Sequence, residues 1–238
     1  MRLDGKRVVI IGGSSGIGLE TARLALGEGA FVTIAGRSKD RLEKAANSLA
    51  SDRLRSVVAD LADESSIRSL FADENRIDHL FVPAGELRPG GGDLLKSDMD
   101  ALRSILEVRL LGVAHIVRHA RPRMDGGSIT LMSGLYATRP AAGGAIAAAA
   151  VAAITGMTRA LALDLAPIRV NAVSPGLIDT PLWDSFGPQR DAILARAAKM
   201  PVGRAGRPEE VAAAVLFLMS NEFITGVVLP IDGGGALV

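Results

Sequence analysis

Apolar residues along the chain fall into short β-branched runs separated by longer stretches with a helical period. The runs predict strands at Arg7 to Ile11, Phe31 to Ala35, Leu54 to Val58, Ile77 to Val82, Ser128 to Met132, Ile168 to Val173 and Val227 to Ile231. The segments between them are long enough for helical crossovers. Strands joined that way pair in parallel, and helices cover both faces of the sheet they form. The pattern therefore predicts an α/β fold, a doubly wound parallel sheet of about seven strands with helices on both faces. No linker, composition shift or internal repeat divides the chain, so a single domain is expected over 1–238, with the glycine-rich Pro89 to Gly92 as a surface loop. Residues 181–206 break the rhythm with Trp183, Phe186 and three prolines just after the sixth strand. A substrate lid is expected there.

Composition narrows the function classes. Of 238 residues, 48% are apolar and 22% charged, which suits a large buried core and not a disordered chain. Lys plus Arg (27) nearly cancels Asp plus Glu (26), so no long-range field gathers a nucleic acid or an anionic membrane. Small molecules are the expected partners. The absence of Cys excludes disulfides, thiolate catalysis and Cys-ligated metals. The start, MRLDGK, leads into an apolar run too short for a signal-peptide core, and a cytoplasmic location is expected. Pro140 to Thr158 is free of charge for 19 residues, near the length of a membrane span. Seven of the nine residues from Ala145 to Ala153 are Ala, however, which leaves little apolar area to drive insertion and favours close helix packing in a soluble protein.

The first strand is followed by Gly12-Gly13-Ser14-Ser15-Gly16-Ile17-Gly18, then by a helical pattern from Leu19. Glycines let the backbone amides of such a turn, and the helix N-terminus behind it, approach a pyrophosphate. The position between a strand and a helix, at the head of a βαβ unit, is the context that gives the motif meaning.

With that spacing, Gly12, Gly16 and Gly18 resemble the short-chain dehydrogenase/reductase family, whose fold is of the Rossmann type. Further matches run along almost the whole chain: Asp60 and Leu61 after the third strand, Ala84-Gly85 after the fourth, Arg169-Val170-Asn171, and Ser174-Pro175-Gly176 through Ile178 to Thr180. Thr225-Gly226 and Asp232-Gly233-Gly234 complete them. The resemblance implies a nicotinamide dinucleotide held by Gly12, Ser14, Ser15, Gly16, Ile17, Gly18, Asp60, Leu61, Ala84, Gly85, Pro175, Gly176, Ile178 and Thr180. At the end of the second strand stand Gly36 and Arg37, not a carboxylate for a ribose 2′-hydroxyl. A guanidinium pairs with a 2′-phosphate, so NADP is expected over NAD, although Arg37 at a strand end also suits capping or stacking on adenine.

The family's catalytic set is another matter. Aligning the helix through Thr158-Arg159-Ala160-Leu161-Ala162 puts Ala147 at the family's Tyr and Val151 at its Lys. Gly134 falls at the Ser, with Ser133 one position early, and Arg109 at the Asn. Hydride delivery to a carbonyl leaves an alkoxide that needs a proton and fixed hydrogen bonds, which Ala and Val cannot give. Tyr136 and Ser133, in the loop that also holds Arg139, are the candidate substitutes; Glu86 is a third. Arg109 is a candidate for the ribose contacts that the Lys gives in the family, reaching into the volume left at Val151; pairing with Glu107 or Asp164 is the alternative. His115 and His119 stand at i and i+4, yet no further ligands lie near them in the sequence, and with Arg118, Arg121 and Arg123 they read as terminal helix charge, so no metal is expected.

Two functions follow from these residues. One is an NADP(H)-dependent oxidoreductase of a small carbonyl or alcohol with an altered donor set. The other is a catalytically silent cofactor-binding subunit that supports an active paralogue in a hetero-oligomer. Under either, the helix from Ala145 to Leu165 carries alanines on every face, which predicts burial on all sides and, as in the family it resembles, a homodimer or homotetramer across that helix.

Overall fold

The computed structural model of the chain describes residues 3–83 and 93–238. All seven strands form: β1 (Arg7–Ile11), β2 (Phe31–Gly36), β3 (Leu54–Val58), β4 (His79–Val82), β5 (Ser128–Met132), β6 (Arg169–Pro175) and β7 (Val228–Ile231). Three of them have the expected bounds. Strand β4 starts later than expected because the Ile77 amide is drawn out of the sheet to the Arg123 carbonyl, while β6 runs on to Pro175 by pairing with Ile231.

The helices are α1 (Gly16–Gly27), α2 (Lys39–Leu49), α3 (Glu64–Ala72), α4 (Met99–Leu106), α5 (Gly112–Ala120), α6 (Ala145–Asp164), α7 (Arg190–Ala195) and α8 (Pro208–Ser220). Their starts follow the side chains: Ser38, Asp63 and Asp98 each accept a hydrogen bond from a first-turn amide of α2, α3 and α4. A π-helical turn, Glu107–Leu111, joins α4 to α5.

All pairings are parallel, in the order β3-β2-β1-β4-β5-β6-β7. Alternate strand residues enter two cores, one on each face. Val9, Ile11, Leu80, Val82, Ile129 and Leu131 pack with residues of α3, α5 and α6. Val8, Ile10, Phe81 and Val173 pack with residues of α1, α2 and α8. This two-sided burial is why the strands read as continuous apolar runs instead of an alternation. The strand order reverses between β1 and β4, which opens a crevice at their carboxyl ends, the place where open α/β sheets bind ligands.

Helix α6 covers the sheet with one face, as the sequence predicts. Within one chain it buries a single stripe, Ala147, Ala150, Val151, Ile154 and Thr158, over β5 and β6. Its outer face, with Ala149, Gly156 and Leu163, is exposed. Among the described helices α6 alone has the length and apolarity of a membrane span. Its packing on the sheet is that of a layer helix. The segment expected to be a lid is helical, with 3₁₀ turns at Pro181–Gln189 and Arg196–Lys199 on either side of α7.

Candidate functional site

The glycine turn leaves the carboxyl end of β1 with Gly12 at φ 94° and Gly16 at φ 53°, left-handed conformations that glycine adopts without strain. The amides of Gly12 and Gly13 both reach the Ala35 carbonyl, at 2.7 and 3.3 Å, which ties the turn to β2. A Cβ at Gly18 would run into the Gly12 carbonyl, so α1 begins directly on the turn. Ser15 is the N-cap of α1, but its hydroxyl does not cap, leaving the first amides of the helix without a side-chain acceptor.

Two of the expected cofactor segments touch that turn, one at Gly36 and one at Thr180. The Ser14 hydroxyl lies 3.6 Å from where a Cβ of Gly36 would be, and the exposed Arg37 follows at the end of β2. Gly36 carries no motif signal beyond its size; only its contact with Ser14 shows what that size allows. After β3, the Asp60 carboxylate accepts from the Ala62 amide at 3.0 Å, and Leu61 is buried against Gly112 at the head of α5. After β6, the Gly176 amide bonds the Ile231 carbonyl, Ile178 pairs with Gly206, and Thr180 is buried with side-chain carbons 3.3 Å from the Cβ position of Gly16. Ile17 packs against the core on the α1 side. Ala84, Gly85, Glu86 and the loop Pro89 to Gly92 lie outside the described residues.

The three positions aligned with the family's Ser, Tyr and Lys also come together. Ala147 and Val151, one turn apart on α6, are each 7% exposed, and a Cβ at Gly134 would sit 3.9 Å from Val151 Cγ1 and 4.0 Å from the Pro175 carbonyl oxygen. Arg109 lies on the π turn, which packs against α6, and burial holds its guanidinium pKa below the ordinary value.

Ser133 does not stand ready as a donor: its buried hydroxyl donates to the Val151 carbonyl at 2.8 Å. Tyr136, on a 3₁₀ turn and 41% exposed, lays its ring edge on Gly144 ahead of α6. Arg139 donates to the Gly235 carbonyl at 2.7 Å, joining the loop after β5 to the end of the chain. Arg169 and Asn171 sit at the amino end of β6, away from the ligand edge. The Arg169 guanidinium binds the carbonyls of Leu218, Met219 and Ile224, and Asn171 bonds Ile224 and Val227.

His115 and His119 also have a partner that the sequence does not place near them. Glu64 of α3 receives His119 Nε2 at 2.9 Å and stands 3.6 Å from His115 Nδ1. The hydrogen bond from His119 holds the Glu64 carboxyl below the usual range. Tertiary pairing thus adds to the terminal-charge reading. Among the described residues no group of three such ligands is arranged around a metal ion.

Comparison with known proteins agrees with this geometry. The family described as enoyl-(acyl carrier protein) reductase matches residues 12–235. Short-chain dehydrogenase/reductase ATR9 of Stachybotrys chlorohalonatus is 35% identical, over 99% of this chain and 98% of its own length. The chain belongs to the short-chain dehydrogenase/reductase family. The 3-oxoacyl-(acyl-carrier-protein) reductase FabG of Thermotoga maritima is 37% identical, over 98% of this chain and 99% of its own. A small-chain dehydrogenase solved in complex with NADPH superposes with a TM-score of 0.85 at 32% identity, covering 99% of this chain and 100% of that one. As a short-chain dehydrogenase/reductase, the protein is an oxidoreductase with the Rossmann-type fold of its relatives. Its left-handed glycines, the close seat of Gly18 on Gly12 and the uncapped start of α1 fit the pyrophosphate of a dinucleotide.

Proposed function

We propose that this short-chain dehydrogenase/reductase uses NADP(H) to interconvert a small carbonyl compound and its reduced form, with a donor set unlike that of the family. The single observation that carries the cofactor reading is the Ser14 hydroxyl against Gly36 at the end of β2, with Arg37 next in the chain and neither of the two residues acidic. A 2′-phosphate there meets a hydroxyl and a guanidinium, whereas a ribose diol lacks the carboxylate it is usually bonded by. The relative solved with NADPH supports the same choice. The bound dinucleotide supplies two electrons and a hydrogen; the chain orients it through the glycine turn, Asp60 and the Pro175 to Thr180 loop.

On this reading Gly134, Ala147 and Val151 occupy the family's donor positions without donating, Tyr136 of the adjoining loop is the candidate donor, and Arg109 is proposed to supply the positive charge that a lysine gives in relatives. The exposed outer face of α6 is proposed to pair with a second copy of the chain.

Fluorescence titration tests the cofactor reading. NADPH is expected to bind at least about tenfold tighter than NADH, because a charge-assisted pair is worth about 1.5 to 3 kcal/mol. Arg37→Asp is expected to reverse the order. Equal affinities in the unaltered protein defeat the assignment.

A further inference from the structure

Gly144, the N-cap of α6, has φ −116° and ψ 20°, a conformation open to residues other than glycine. Its backbone does not require a glycine; its surroundings do. A Cβ there would stand 2.6 Å from Cε1 and 3.3 Å from Cδ1 of Tyr136, with the Ala141 carbonyl oxygen at 3.2 Å. The ring edge of Tyr136 fills the space that a side chain at 144 would take.

Tyr136 is the only tyrosine of the chain, and among the described residues nothing binds its hydroxyl. The 3₁₀ turn that carries it, Leu135–Ala137, directly follows Gly134 and packs against α6. That turn is also fixed on its other side: Leu135 Cδ2 lies 3.1 Å from the Cβ position of Gly235, and Arg139, whose amide bonds the Leu135 carbonyl, donates to the Gly235 carbonyl. The ring is left to lie on the start of α6. Gly144 stands one helical turn before Ala147, and residues three apart share a helix face. The ring carbon that bears the hydroxyl is bonded to the seated Cε1, so the hydroxyl is held beside the first turn of α6, where Ala147 leaves the family's tyrosine position without one.

Resting on the NADP(H) reading above, we infer that Gly144 is a positioning residue, its missing side chain the seat that turns Tyr136 from the loop after β5 toward the nicotinamide end of the cofactor. The tyrosine of relatives stands on α6; here a ring reaches the same stretch of helix from outside it. In the reduction, the carbonyl carbon gains one hydrogen with two electrons from NADPH, the carbon–oxygen π pair moves to oxygen, and that oxygen takes the proton of the Tyr136 hydroxyl. Tyr136 is 41% exposed, so solvent returns a proton to the phenolate. A side chain at 144 pushes the ring off α6 and withdraws the hydroxyl, while the glycine turn that holds the dinucleotide is untouched.

A single tyrosine gives a single signal, so the test labels the whole chain with tyrosine carrying carbon-13 at the hydroxyl-bearing ring carbon and follows that carbon by NMR. NADPH affinity is measured first, by fluorescence. If NADPH does not bind, the cofactor reading has failed, and the signal of Gly144→Ala against that of the unaltered protein, both without cofactor, tests the seat alone. If it binds, the outcomes below concern this inference. In the unaltered protein NADPH is expected to move the signal, whereas 2′,5′-ADP, which lacks the nicotinamide, leaves it in place. Gly144→Ala is expected to shift the signal of the free protein and to abolish its response to NADPH, with NADPH affinity unchanged, and circular dichroism verifies that the variant folds. Should it not fold, the contrast between NADPH and 2′,5′-ADP in the unaltered protein decides. A signal that NADPH leaves in place overturns the inference, as does one that both nucleotides move equally. So does a folded Gly144→Ala protein whose signal keeps its position and its response.

Discussion

The Ser133 hydroxyl donates to the Val151 carbonyl oxygen at 2.8 Å, in a position fully enclosed by β5 and α6. The bond fastens the end of β5 to the helix that carries Ala147 and Val151, so Ser133 acts on the site by holding its wall.

Ser133→Ala is accordingly expected to lower stability by about 1 kcal/mol, the net worth of one such hydrogen bond, read as a lower midpoint in urea. NADPH affinity is expected to stay within about twofold of the unaltered protein. A large loss of binding with no loss of stability would show that the hydroxyl faces the ligand.

Arg109 is desolvated on a π turn packed against α6. If its guanidinium makes the ribose contacts that a lysine makes in relatives, Arg109→Ala weakens NADPH binding by about 1 kcal/mol or more, roughly fivefold. Arg109→Lys restores part of that loss. Unchanged affinity in the alanine variant excludes the contact.

His79 is buried in β4 with Nδ1 2.9 Å from the Ser128 hydroxyl, and burial pushes its pKa down to about 4. The folded protein thus resists a proton that the unfolded chain accepts near pH 6.5. The stability due to neutral His79 is present above pH 6.5 and is lost as pH falls toward 4, to an extent of about 3 kcal/mol at most. Urea midpoints measured from pH 7.5 to 4.5 are expected to fall, and His79→Gln to flatten the decline. An equal slope in the variant would assign the acid sensitivity elsewhere.

Thr130, in the middle of β5, is fully buried, and its hydroxyl has no hydrogen-bond partner among the described residues. Desolvating a hydroxyl without compensation is unfavourable, whereas valine has nearly the same shape. Thr130→Val is therefore expected to raise stability by about 1 kcal/mol. A destabilised variant would reveal an acceptor for that hydroxyl.

Much of the fold was legible because a parallel sheet covered on both faces leaves a strong local mark. The runs at Arg7–Ile11 and Ser128–Met132 coincide with the buried β1 and β5 to the residue. The glycine turn was equally legible, since left-handed φ values at Gly12 and Gly16 and the absence of room at Gly18 demand glycine by backbone sterics alone. Residue identity also determined that Ala147 and Val151 cannot donate a proton, wherever they lie.

Tertiary structure decided the rest, because a side chain's orientation depends on contacts distant in sequence. Ser133 is 18 residues from the carbonyl that claims its hydroxyl, and Arg139 is 96 from the one that holds its guanidinium. Glu64 meets His119 across 55 residues, and Arg169 reaches α8 and Ile224 across 49 to 55. Local patterning records which residues must be buried or turned; it does not record which of many distant acceptors a polar group will find, and that choice separates a residue that can act on a ligand from one that holds the wall behind it.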